Sequence, residues 1–380
     1  MRRFTLGLTL LAAMGTVSFA DIKVDKVSGN ARLFYSTDDS EDFFDKESSL
    51  GDVSLSLDIA AQINCCILAN FGITGVSTLG LENTLVSGTW INHGLDDAIW
   101  IDTANIVFKP LADTTMILGR QELDTPMVFT ERWNIAQNTY DAAVIANGSL
   151  PDTTLIAAWV GRSNIDGGNT VKADGISNNG FDTFVTDEGA YAFGAVTKAI
   201  PGVTAQAWYY IAPSTANIAW LQADGSVAGF DLGGQYLYTD PDSGDTGSGF
   251  ALKVGYNFAD LGLGLSAAYS STDEDLFTAN NLSGAQSKLY TESWWTPGEV
   301  GQADTDAFNI TATYDMANIA NFGLYYTNAD HSTAADMSEI TLTAAKSIGN
   351  LDVTLAYINT DIDDGSDAVN TLQANFTYNF

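Results

Sequence analysis

Cysteine is almost absent: the 380 residues hold two, the neighbours Cys65 and Cys66. A disulfide framework and any zinc site built on cysteine spacing are thereby excluded. A bond between adjacent cysteines is sterically demanding, so two turn thiols and a vicinal pair both stay open. Histidine is as scarce, with only His93 and His331, both in polar segments and far apart. No nucleophile elbow, glycine-rich phosphate loop or zinc signature occurs, and no enzyme is expected. Basic residues number 15 against 47 acidic ones, a net charge of −32, which argues against nucleic acid or anionic lipid as a partner. Seven prolines and no linker-like tract leave nothing to divide the chain into domains.

Long apolar runs are missing as well. The first twenty residues pair Arg2 and Arg3 with an apolar stretch from Phe4 to Met14 and end Val17-Ser18-Phe19-Ala20. This is the pattern of a secretory signal peptide, and cleavage after Ala20 is expected, leaving residues 21–380 with a charge of −34 (−32 less Arg2 and Arg3). Beyond it, no segment reaches the ~18–20 apolar residues of a transmembrane helix. Asn70 and nearby glycines break even the stretch from Cys65 to Leu81. Such a chain could cross a bilayer only as a closed β-barrel, in which every backbone polar group is paired.

What the chain has in abundance is alternation. Leu372, Ala374, Phe376, Tyr378 and Phe380 alternate with Thr371, Gln373, Asn375, Thr377 and Asn379. The same period of two runs through Val53, Leu55, Leu57 and Ile59 against Asp52, Ser54, Ser56 and Asp58, and through Phe308, Ile310, Ala312 and Tyr314. This is strand periodicity. The second face is Gly, Ser, Thr, Asn and Asp, suited to water, so apolar-out and polar-in is expected, with outer-membrane lipid against the apolar face. Tyr35, Tyr269, Tyr314, Tyr326, Tyr378 and Phe380 fall near strand ends, where interface girdles form.

The connections alternate long and short. Long acidic ones span 36–50, 79–97, 122–141, 163–189, 239–249, 271–304, 329–337 and 360–367. Tight ones fall at 62–64, 110–113, 147–152, 200–202, 223–225, 259–260, 315–319 and 348–350. The expectation is an all-β transmembrane antiparallel barrel of about 18 strands, with short periplasmic turns and long outer loops. Strands of ~10 residues would use about 180 residues, and at this size the lumen is aqueous. The segment from Tyr209 to Tyr238 is the least clear, with a short loop expected near Ala212-Pro213-Ser214.

Charged clusters supply candidate sites. After the fifth strand, Arg120, Glu122, Asp124, Glu131, Arg132 and Asp141 mix both signs where bases are rare. If this loop enters the lumen, they face one another at the constriction; the alternative is surface ion pairs worth ~0–1 kcal/mol each. The polar faces nominate Arg32, Asp52 and Asp58 as lumen residues. Acidic loop clusters at Asp240, Asp242 and Asp245, and at Asp361, Asp363 and Asp364, offer the oxygen ligands calcium takes, against plain solvated charge; no other cofactor is implied.

The run Gly119-Arg120-Gln121-Glu122-Leu123-Asp124-Thr125-Pro126, the Arg132 six residues after its proline and the terminal Phe380 resemble the OprD-type porins. The overall layout, with Gly29–Tyr35 opening the barrel and Asn375–Phe380 closing it, resembles more closely the campylobacterial major outer membrane proteins. The resemblance implies an eighteen-stranded trimeric porin with its third loop, near 122–141, folded inward, calcium binding in some members, and Tyr378 and Phe380 as the terminal signal for the barrel-assembly machinery. The basic ladder of OprD-type channels is reduced here to Arg32, Arg120, Arg132, Arg162 and Lys253, favouring cations over anionic substrates. The expected function is a water-filled, cation-preferring diffusion channel for small hydrophilic solutes and ions. An outer-membrane adhesin barrel and a soluble acidic sandwich are the alternatives.

Overall fold

The computed structural model describes residues 23–82, 84–88, 97–166, 170–171 and 180–380. The expected signal peptide and His93 lie outside them. Eighteen antiparallel strands follow in chain order: β1 (Lys23–Asp38), β2 (Ser49–Asn64), β3 (Ile67–Ser77), β4 (Asp97–Leu111), β5 (Thr114–Gln121), β6 (Tyr140–Leu150), β7 (Thr153–Ser163), β8 (Ala190–Thr197) and β9 (Val203–Ala212). They continue as β10 (Ala216–Val227), β11 (Phe230–Pro241), β12 (Gly247–Phe258), β13 (Leu263–Thr272), β14 (Thr305–Met316), β15 (Ala320–His331), β16 (Met337–Ile348), β17 (Leu351–Ile362) and β18 (Val369–Asn379). Each pairs with the next, and β1 pairs with β18 from Asn30↔Asn379 to Asp38↔Thr371, closing the barrel. No edge remains unpaired, the condition for spanning lipid with strands.

The alternation decides which way side chains point. Leu55 is 49% exposed on the outer side of β2, whereas its neighbour Ser54 is buried toward the interior. Outward rings form contacts along the wall, such as Phe250–Tyr269 at 6.0 Å and Phe230–Tyr256 at 4.9 Å. The wall therefore presents an apolar, aromatic-rich exterior of the kind lipid requires.

The turns lie close to their expected places with one exception. Residues 223–225 are not a turn; they continue β10, and the chain reverses at Ala228-Gly229, both with positive φ (52° and 84°). Two consecutive positive φ values define the hairpin geometry that matches strand twist, and glycine carries one of them without cost. Asp224 is thus a wall residue and forms an ion pair with Lys253 of β12 at 3.2 Å. Cys65 and Cys66 are themselves the β2–β3 turn, exposed thiols not joined by a disulfide, with their sulfurs in hydrogen-bond contact at 2.8 Å.

The inner face also departs from expectation. It is not uniformly polar: Trp208 and Tyr210 of β9, Ile218 and Trp220 of β10 and Leu237 of β11 are all buried on the interior side. They pack against Leu123, Met127 and Val128 of the loop after β5 and Leu276, Leu289 and Val300 of the loop after β13. Part of the interior is therefore a protein core, because two loops bring their own apolar side chains to cover it.

At the seam Phe380 and Gly29 exchange backbone hydrogen bonds of 3.0 and 2.9 Å. A Cβ on Gly29 would sit 2.8 Å from the Phe380 ring, so the ring closes down over a bare backbone. Phe380 and Tyr378 are both 48% exposed on the outer side. Phe380→Ser removes an apolar anchor at the last closure point, and a several-fold fall in folded, heat-modifiable barrel in the membrane fraction is expected. Unchanged membrane levels would show that the seam does not need this ring.

Candidate functional site

Two loops carry the chemistry of the interior: L3 (residues 122–139, between β5 and β6) and L7 (residues 273–304, between β13 and β14). L3 reaches both sides of the barrel. Arg32 of β1 donates through Nη1 to the carbonyls of Asn134 and Ile135 at 2.7 and 2.9 Å, and the Ser54 hydroxyl of β2 donates to Ile135 at 3.1 Å. At its other end the Met127 N–H donates to the Tyr210 hydroxyl of β9 at 3.3 Å. β1 and β9 stand eight strands apart in a ring of eighteen, so these contacts lie almost opposite one another.

L7 packs onto L3. The Leu282 N–H donates to the Met127 carbonyl at 2.9 Å, and Trp295 makes an edge contact with Trp133 and a stacked one with Phe34, both at 6.4 Å. Buried carboxylates hold the two loops. Glu131 is 2% exposed and accepts from Trp133 Nε1, Asn281 Nδ2 and the Gln286 N–H at 2.8–2.9 Å. Burial raises its pKa, and the donors from Trp133 and Asn281 oppose that shift. Glu339 of β16 is 1% exposed and accepts from three successive backbone N–H groups of L7, those of Trp294, Trp295 and Thr296, at 2.7–3.0 Å. At the far side Tyr290 donates to Asp224 at 2.7 Å while Lys253 lies 4.1 Å above its ring.

The charged residues singled out from the sequence separate into two groups. Arg120 and Asp141 face each other in register and pair at 2.8 Å, with Arg162 on the other oxygen of Asp141 at 2.6 Å. Arg120 also donates to the Ile101 carbonyl at 2.8 Å, and the Phe181 ring covers its guanidinium at 3.3 Å. Its charge is thus fully engaged in the wall. By contrast, Arg132, Glu122 and Gln137 bond to one another at an exposed part of L3, and Asp124 pairs with Lys288 of L7. Glu131 joins neither group, because its carboxylate is consumed in tying L3 to L7. Asp52 and Asp58 stand on the same side of β2 as Ser54, toward the interior. Arg32 points inward too, but its guanidinium is covered by L3.

Among the described residues no three acidic, histidine or cysteine side chains converge in the way a dedicated metal site requires. Asp240 is paired to Asn217 at the end of β11, and Asp364 caps its own turn by accepting from the Ser366 N–H at 2.9 Å. His331, expected in a loop, ends β15 and is buried between Thr305, at 2.9 Å, and Glu299, at 3.6 Å.

No protein-family model and no curated protein matches this sequence. Solved structures do. Pseudomonas aeruginosa OccK3 (OpdO) superposes with a TM-score of 0.73 at 12% identity, covering 93% of this chain and 95% of that one. The outer membrane protein opdK from Pseudomonas aeruginosa gives 0.73 at 11% identity over 94% and 99%. Acinetobacter baumannii OccAB1 gives 0.73 at 13% identity over 95% and 97%. The fold is that of the OprD-type outer-membrane porins. At these identities the likeness is one of architecture.

The inward course of L7 and its anchor Glu339 were not anticipated. The available signal was composition: Leu276, Leu282, Leu289, Trp294, Trp295 and Val300 are too apolar for a solvated loop. Glu339→Ala would leave three N–H groups without an acceptor, at roughly 1–3 kcal/mol each. We expect L7 to be cleaved by protease at least tenfold faster while the barrel keeps its heat-modifiable shift; equal cleavage would remove Glu339 from this role.

Glu292, in L7, is partly buried with its Oε2 shut away from solvent, and its pKa is pushed up to about 8 by desolvation, partly offset by the Gly298 N–H bonded at 2.8 Å. A carboxyl whose native pKa lies above its unfolded value stabilises the packed state fully below about 4.5 and loses that contribution as pH rises through about 8. L7 should therefore open more readily at pH 9 than at pH 6, by tenfold or more in hydrogen exchange beyond the chemical rate. Glu292→Gln should flatten the dependence; an unaltered pH profile in that variant would assign the effect elsewhere.

Proposed function

We propose that the chain is an outer-membrane channel through which small hydrophilic solutes and ions diffuse, and that L3 and L7 together form its constriction. The observation that carries this reading is the span of L3, bonded to β1 and β2 at one end and to β9 at the other. A loop so placed narrows an aqueous lumen without closing the barrel, as a selective pore demands.

Cation preference follows from how charge is distributed. Arg32, Arg120, Arg132, Lys253 and Lys288 are each engaged by carbonyls or carboxylates. The excess charge of the chain is acidic, −32 in all. Low-dielectric walls around a wet passage concentrate that field. The OprD-type likeness supports a porin, the finer resemblance to campylobacterial major outer membrane proteins rests on sequence layout, and removal of residues 1–20, trimer formation and recognition of Phe380 by the assembly machinery belong to the same proposal.

In planar bilayers the reversal potential should indicate cation preference at low salt, weakening as the Debye length shrinks from ~10 Å at 0.1 M. Arg132→Ala frees Glu122 and widens the gap, so single-channel conductance should rise by tens of per cent and cation preference strengthen. Asp361 lies in β17 near its outer end, not in the loop expected from the sequence, and Asp361→Ala should change little. Absence of any conductance would favour a closed structural or adhesive barrel instead, and anion preference at low salt would sink the selectivity reading.

A further inference from the structure

Along β2, β3 and β4 the inner wall holds a cavity of about 330 Å³ whose lining includes Asp58, Asn70, Thr103 and Glu122. Asp58 is in register with Gly72 of β3, and Gly72 in turn with Thr103 of β4. The register then skips Asp102, which is an extra residue on β4 facing no partner on β3. Such a bulge re-aims a side chain, and this one turns Asp102 onto the place already occupied by Asp58. A Cβ built on Gly72 would overlap Asp102 Oδ1 and lie 2.6 Å from Asp58 Oδ1. Glycine is thus required there because two carboxylate oxygens occupy the space of its side chain.

Asp102 is 4% exposed. One of its oxygens accepts from the Thr74 hydroxyl, while Oδ1 is buried with no hydrogen-bond partner. A buried carboxylate oxygen without a donor is costly. Like charge from Asp58 at the same spot adds to that cost, and Arg120 on the adjoining β5 is committed to Asp141. Asn70 spends its amide nitrogen on Asn105, at 2.9 Å. A positive ion seated between the two carboxylates would account for the bulge, the glycine and the orphaned oxygen together.

We propose that Asp58 and Asp102 form a site for a hard divalent cation, calcium or magnesium, in the wall of the lumen. Asp58, Asp102, Thr103, Asn70 and Glu122 offer carboxylate, hydroxyl and amide oxygens, the set that alkaline-earth ions take, with water completing the shell and Lys26 also in the cavity lining. Two carboxylates rather than three or more place it among weak sites, on the order of 10⁻⁴–10⁻³ M. Weak retention suits a passage, since an ion must be able to leave again.

The test uses the purified full-length barrel in detergent, washed with EDTA and titrated separately with calcium chloride and magnesium chloride by calorimetry. One saturable site is expected in the parent protein, weakened at least tenfold by Asp102→Asn and by Gly72→Ala, and unaltered by Asp361→Ala. Asp58→Asn, at a half-buried position, should weaken binding equally and carries the test if the Asp102 variant fails to assemble. No saturable binding in the parent, or full affinity retained in the Gly72 and Asp58 variants, would overturn the site. Bilayer conductance of the same preparations separates the two readings: a pore without divalent binding refutes only the site, and divalent binding without a pore refutes only the channel.

Discussion

Backbone pairing is the constraint on which everything else in this molecule rests. A strand in lipid has no water to satisfy its N–H and C=O groups, so the sheet must close on itself. Closure here falls between β1 and β18, with Gly29 and Phe380 as the last hydrogen-bonded pair. Once the ring is complete, period-two alternation sends every second side chain to lipid and every other one inward. The exterior can then be apolar without a conventional core beneath it, and the interior is free for function.

That freedom creates a second problem, which L3 and L7 solve with buried acids. A loop brought into the barrel carries backbone N–H groups away from bulk water, and each needs an acceptor. Glu339 supplies one for three consecutive N–H groups of L7, and Glu131 joins L3 to L7 through Asn281 and Gln286. Arg32 does the converse job, capping two L3 carbonyls from the wall. Side chains that look like pore charges in a list of residues are in these cases structural ties. The charges left at exposed positions, Glu122, Arg132 and Asp124, are a smaller set, and each of the three is paired.

The same economy explains the glycine at position 72. Elsewhere on the wall a glycine makes room for a neighbouring group, Gly233 for the Tyr290 ring and Gly247 for the Leu276 backbone. Here a bulge on the neighbouring strand swings a second carboxylate over it, and the absent side chain becomes the space in which two acids meet. Local backbone irregularity has set the electrostatics of the wall more than composition has.

How much of this was legible in the sequence follows from the range of each interaction. The barrel, its eighteen strands and the long and short connections were, because alternation and turn residues are local and repeat along the chain. The turn after β10 slipped by a few residues because Ala223-Asp224-Gly225 has turn composition, while Ala228-Gly229 has the paired positive φ that the hairpin needs. The mixed charges around Arg120 and Arg132 were visible as a cluster, since opposite signs close in sequence need no fold to be seen. Which of them face water was decided by partners that only the fold supplies: Asp141 and Phe181 for Arg120, and Asn281 for Glu131. Periodicity determines which face of the wall a residue occupies; only the closed barrel determines what stands opposite it, because loops crossing the lumen join residues more than a hundred positions apart.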